Sequence, residues 1–194
     1  MYEFQLYRSN EENYPDQIQV GDTVYDINAD YRVILRIIRI QQQDDVMLMA
    51  RNRRCLELFY KDGFPADDPM MYMWMFVRRC KSSEEDDRDN GSQTMCYYRD
   101  ADVIMSSFRA QYGIDLNSQE FMHWYEFLML VDGLGEDTPL MRRIHLRQMS
   151  TKGYEGQELL DLLAAKKRVA LVDPEEREKA FARSMMSRMG LGRI

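Results

Sequence analysis

With 194 residues, 45% of them apolar and 30% charged, the chain has the size of one domain with an appended element and can bury a core. A formal charge of −7 disfavours non-specific nucleic-acid binding, which needs clustered cations, and no apolar run reaches the roughly 18–20 residues of a membrane span. Cys55, Cys80 and Cys96, widely spaced and odd in number, fit a reducing compartment better than a disulfide framework, and MYEFQLYRSNEENYPD lacks the basic start and apolar run of a secretion signal. The expectation is a cytosolic protein.

Ile18 to Ile27 alternates apolar and polar residues around Gly21-Asp22, the pattern of a β-hairpin. Asn28 or Asp30 then offers an N-cap for a helix over 30–41, with Val33, Ile34, Ile37 and Ile38 at helical spacing. Asp44-Asp45 suits the start of a second helix to about Lys61, leaving Val46, Met49, Leu56 and Phe59 for burial. Asp62-Gly63-Phe64-Pro65 terminates it. Asp67-Asp68-Pro69 begins a third helix whose residues from Met70 to Val77 are almost all apolar. Such a helix is either deeply buried or covered by a partner. SSEEDDRDNGSQ, residues 82–93, reads as a flexible, solvated loop.

Asp100 or Asp102 caps a helix to about Tyr112, with Ile104, Met105 and Phe108 on one side and Gly113 at the position where a helix turns left-handed. Asn117 followed by Glu120 resembles a capping box for a helix over 118–132, which holds Phe121, Met122, Trp124, Tyr125, Phe127 and Leu128. Residues 110–127 thus read as the turn and first half of a tight helical hairpin, mostly core. Thr138-Pro139 fits N-cap and N1 of a helix to about Met149. A further helix spans 157–171, with Leu159, Leu160, Leu162 and Leu163 on one side. Asp173-Pro174 opens a last one to about Met189. The fold class is mainly α, a bundle of six to seven helices with a small N-terminal hairpin. Residues 1–152 form one domain and 153–194 a basic helical extension. From Pro139 onward twelve Lys and Arg stand against seven Asp and Glu, so the acidity lies in the first two thirds.

Chemical motifs are sparse. Neither GxGxxG nor GxxxxGK[ST] occurs, HExxH is missing, and two histidines with no CxxC pair give no metal-ligand spacing. No cofactor is expected. His123 reads as a partly buried residue satisfying a backbone carbonyl or Glu126, His145 as exposed among arginines, and Cys80 as an unreactive thiol near a helix C-terminus. Residues 100–132 are not a DNA-reading helix-turn-helix, because the second helix has no Arg or Lys to meet phosphates or guanine edges. Sixteen methionines are the remaining outlier; Met is flexible and polarizable, and suits surfaces that accept more than one shape. Met70, Met71, Met73, Trp74 and Met75 are the candidate lining of a groove for a partner's amphipathic helix. Left uncovered, that helix predicts self-association.

Asp100-Ala101-Asp102, Phe108, Gln111-Tyr112-Gly113-Ile114-Asp115-Leu116, His123-Trp124, Phe127, Gly133-Leu134 and Arg147-Gln148-Met149 together resemble the tail assembly chaperones of long-tailed bacteriophages and prophages. Ile27 to Arg32 and Leu56 to Tyr60 add weaker likeness, so the resemblance covers about residues 18 to 150. It implies a non-enzymatic assembly factor in the bacterial host cytoplasm, one that holds the tape measure protein, recruits tail tube subunits and leaves the finished particle. It carries over no active site. The basic segment beyond about 155 departs from the family's pattern, which leaves its role open. The rival reading is a structural tail or connector component retained in the particle.

Overall fold

A computed structural model describes residues 4–7, 14–43, 47–79 and 94–171 of the chain. Among them are seven helices and one three-stranded antiparallel sheet, in the order β1 (Phe4–Tyr7), β2 (Gln17–Val20), β3 (Thr23–Asp26), α1 (Tyr31–Gln41), α2 (Leu48–Phe59), α3 (Pro69–Val77), α4 (Ala101–Tyr112), α5 (Trp124–Asp132), α6 (Pro139–Gln148) and α7 (Gly156–Val169). The fold is mainly α, as the periodicity predicts. The chain divides into two compact units, each built from two stretches: Met1–Asn90 with Ile114–Gly133, and Gly91–Gly113 with Leu134–Ile194. The loop 82–93, Cys80, Asp44-Asp45 and the helix expected after Asp173 fall outside the described residues.

In the first unit, Gly21 at φ 59° makes the two-residue turn between Val20 and Thr23. β1 pairs with β2 from Phe4↔Val20 to Tyr7↔Gln17, which widens the expected hairpin to three strands. Four residues are too few to show a period, so this strand leaves no signal in the sequence. Ile18 and Ile27 are buried, and the chain leaves β3 by pairing with the end of α2: the Asn28 amide donates to Phe59 O at 2.7 Å and the Lys61 amide to Asp26 O at 3.0 Å.

Asp30 caps α1 by accepting from the Arg32 amide at 2.9 Å, and Tyr31, Ile34, Ile37 and Ile40 form its buried stripe. β-Branched residues cost a helix only a few tenths of a kcal/mol each. Burying an isoleucine contributes roughly 1.5–3 kcal/mol, so the stripe wins. Helix α2 buries Cys55, Leu56 and Phe59. At its start Met47 and Leu48 are exposed, and Met49, expected in the core, is 80% exposed. In α3, Pro69 occupies the first turn after Asp68 in a left-handed conformation, and Tyr72, Met73, Phe76 and Val77 are buried.

The segment before α5 departs furthest from expectation. The helix starts at Trp124 rather than 118, and its N-cap is His123, not Asn117. Asp115 instead closes a local turn, its carboxylate accepting from the Asn117 amide at 3.1 Å and its carbonyl from the Ser118 hydroxyl at 3.0 Å. Beyond it the chain runs extended beside Ala29–Tyr31: the Tyr31 amide donates to Met122 O (3.0 Å) and the Trp124 amide to Ala29 O (2.7 Å). These non-local bonds satisfy the backbone that a longer helix would have satisfied internally. Helix α4 belongs to the second unit and α5 to the first.

The core of the first unit is aromatic. Tyr31 stacks on Phe127 (4.7 Å), Phe127 on Trp124 (5.7 Å) and Phe76 on Tyr125 (5.0 Å), while Trp124 Nε1 donates to Val77 O at 2.9 Å.

In the second unit Gly113 ends α4 at φ 68°, as its position predicts. Ser107 links α4 to α6: its hydroxyl donates to Val103 O (2.6 Å) and accepts from the Leu140 amide (3.0 Å), one of the donors every helix start leaves unpaired. Thr138 and Pro139 open α6 at the expected place. Of the leucines on α7 only Leu162 is buried, while Leu160 and Leu163 face solvent.

Candidate partner-binding surface

The five residues singled out in α3 part company. Met73 is fully buried, as are Tyr72, Phe76 and Val77 of the same helix, so it cannot meet a partner without opening the unit. Met71 is 48% exposed; Met70, Trp74 and Met75 are half-buried, with the Arg78 guanidinium 6.0 Å from the Trp74 ring centre. Met71 is thus the member best placed to touch another molecule. Further exposed apolar side chains in this unit include Val24, Met47, Leu48, Met49, Phe64, Phe121 and Met129.

The buried polar groups are held by internal partners. His123, 6% exposed, donates from Nε2 to Pro15 O at 2.9 Å and accepts at Nδ1 from the Tyr125 amide at 3.0 Å, a pattern that fits the neutral ring. Burial pushes its pKa down, with the Pro15 carbonyl and Asp16 pulling weakly the other way. The carbonyl partner is of the kind expected. Burial would raise the Asp30 carboxyl, but the hydrogen bonds and charge of Arg32, at 2.7 and 2.9 Å, hold it below its ordinary value. Arg32 also donates to the carbonyls of Gln119 and Glu120, which fastens the extended segment to the start of α1.

Asp100 stands at the N-cap position of α4 but does not cap it; its carboxylate, fully buried, receives Arg147 in a two-pronged pair at 2.6 and 2.8 Å. It also accepts from the Cys96 amide at 3.0 Å and from Arg143 at 3.3 Å, and Arg143 grips Asp102 at 2.9 and 3.0 Å. Burial opposes the Asp100 charge, and these donors overcome it, so its pKa lies low. Arg147 reaches further, to the carbonyls of Thr94 and Val169. The cluster is a clamp across α4, α6 and α7. Cys55 is buried with its thiol beside Gln41 and its pKa raised by burial, and His145 is exposed.

A second surface lies between α1 and α2, where a groove of about 570 Å³ is lined by Arg36, Arg39, Arg51, Arg53 and Arg54 with Glu57, Ile40, Gln43 and Ala50. Arg36 with Arg39, and Arg51 with Arg54, are like charges three residues apart on a helix, an arrangement that costs roughly 0.2–0.5 kcal/mol per pair. Sequence reasoning passed over these arginines because the count from Pro139 drew attention to the other end. The available signal was Arg32, Arg36 and Arg39 recurring on one face of YRVILRIIRIQ.

A family model described as Bacteriophage Gp15 protein matches residues 11–171. No curated protein and no solved structure matches the chain.

Proposed function

The chain belongs to the bacteriophage Gp15 protein family, and from that premise we propose that it is a non-enzymatic tail assembly chaperone. It holds the tape measure protein in the host cytoplasm and recruits tail tube subunits to it. The observation that carries this reading is the set of flexible apolar side chains left at the surface of the first unit, above all Met47, Met49, Met71 and Met129. Unbranched, polarizable side chains adapt to the irregular stripe of a long amphipathic helix, and exposed apolar groups in such number are seldom without a binding role. The commitment of Asp30, Asp100 and His123 to internal contacts supports a binding role over catalysis. The resemblance of residues 18 to 150 to tail assembly chaperones supplies the partner's identity.

Co-expression with the tape measure protein of the same phage, followed by affinity capture and a solubility comparison, tests the reading. The expected result is capture and a tape measure protein moved from pellet to supernatant. A tape measure protein that stays soluble on its own and is not captured would overturn it in favour of a structural tail component.

A further inference from the structure

We propose that α7 is a strap that undocks from the second unit while α4 and α6 stay folded, with Arg147 as its latch. The inference is independent of the chaperone reading. Of the fourteen residues of α7 only Leu162 is buried, while Leu159, Ala165, Lys166 and Val169 are half-buried. Leu160 and Leu163, at 60% and 47% exposure, contribute little to docking. A helix docks through an apolar stripe of roughly three to four residues per two turns, and one leucine is a small share of that. Its neighbours are held differently. Helix α4 buries Ile104, Ser107 and Phe108, and α6 is fixed to it by the Leu140 amide on Ser107 Oγ and by Arg143 on Asp100 and Asp102.

The far end of α7 is held by polar ties. Arg147 Nε donates to Val169 O at 2.5 Å, and Lys166 Nζ donates to Met149 O, so α6 and α7 each supply a cation to the last carbonyls of the other. Arg147 is aimed at Val169 by the buried Asp100, which it grips at 2.6 and 2.8 Å, and by Thr94 O at 2.8 Å. The near end is a pivot. Residues 150–153 and 155–156 are exposed, Glu155 makes no side-chain cap, and Gly153 and Gly156 stand at φ 93° and 56°. A Cβ at either glycine would meet nothing within 4 Å, so the link has room to turn. Undocking bares Leu162 and leaves Arg147 on Asp100 with a free donor. Helix α7 therefore hides an apolar surface under the control of the latch.

The test is hydrogen exchange of the full chain at increasing low urea concentrations, read by mass spectrometry on the peptides of α4, α6 and α7. Away from its dock a helix this short does not keep its hydrogen bonds, so undocking shows as exchange. In the parent chain α7 is expected to exchange about a hundredfold or more faster than α4. Its rate should rise only shallowly with urea, because little surface is exposed when it opens, whereas α4 and α6 should rise steeply. Leu162→Ala removes the buried contact, and Arg147→Lys keeps a cation beside Asp100 while losing the donor to Val169 O. Each is expected to speed α7 by about tenfold with its shallow urea slope retained. Protection of α7 equal to that of α4 in the parent chain would overturn the proposal. So would an equally steep urea slope, since the three helices would then open as one body. An α7 whose exchange neither variant changes would overturn it as well, because neither the leucine nor the latch would then hold the helix.

Discussion

The two units of this protein are stabilised by different means. In the first, Tyr31, Phe127 and Trp124 form one aromatic stack and Phe76 and Tyr125 another, and the polar residues His123 and Asp30 serve mainly to fix the chain around them. In the second, Asp100 is fully buried and charged, and three helices and the segment before them are tied to it through Arg143 and Arg147. An aromatic core is tolerant of pH and salt. A buried ion cluster depends on the charge of every member, because removing one partner leaves the other charged and dry. The contrast shows that similar helical patterns in one chain can rest on dispersion in one place and on electrostatics in another.

The largest expected effect breaks the first kind of core. Trp124→Ala removes the stack on Phe127 and the bond to Val77 O and should cost about 3–5 kcal/mol, measured by urea denaturation monitored at the remaining aromatic residues. Arg147→Met leaves Asp100 with Arg143 at 3.3 Å as its remaining cation and should cost about 3 kcal/mol; raised salt should narrow the gap between variant and parent less than it would for a surface pair.

A smaller loss sharpens the comparison through pH. His123 titrates below its ordinary 6.5 in the folded state, so the unfolded chain takes up the proton first. Its contribution is complete above pH 6.5 and fades as pH falls toward the depressed folded value. Protonation puts a hydrogen on Nδ1, where the Tyr125 amide already donates. Asp100 and Asp30 also titrate low, but from 3.8, so their contributions persist until pH drops below that value. Thermal melting against pH should therefore show two separate declines. His123→Ala should cost about 1–2 kcal/mol at neutral pH, as loss of a cap does, and abolish the upper decline while keeping the lower. The smallest effect on stability belongs to Met71→Asp, within about 0.5 kcal/mol on an exposed site, and yet that variant should lose capture of the partner. Met73→Asp, buried two residues away, should unfold the unit instead.

Local chemistry made much of the fold legible. The Gly21 turn, Thr138-Pro139 and the left-handed Gly113 each act within a few residues and sit where the sequence places them. The α1 stripe keeps Ile34 and Ile37 but buries Tyr31 and Ile40 in place of the expected Val33 and Ile38. Residues 113–123 were not legible, because their conformation is decided by pairing with Ala29–Tyr31, some ninety residues earlier in the chain. Asn117 and Glu120 have the right spacing for a cap, but the backbone they would cap is used elsewhere. The candidate site fared differently again. A uniformly apolar run such as Met70 to Val77 has no polar face to mark which side is exposed, so periodicity could not separate Met71 from Met73. The groove arginines come from two helices and gather only when α1 and α2 pack.

The most direct test of the chaperone reading is to fractionate lysates of infected cells into assembled particles and free protein and to quantify this chain in each by mass spectrometry. The chaperone role predicts the chain among free proteins, together with tape measure protein, and its absence from purified particles. A fixed number of copies per finished particle would contradict it and make the protein a component of the tail.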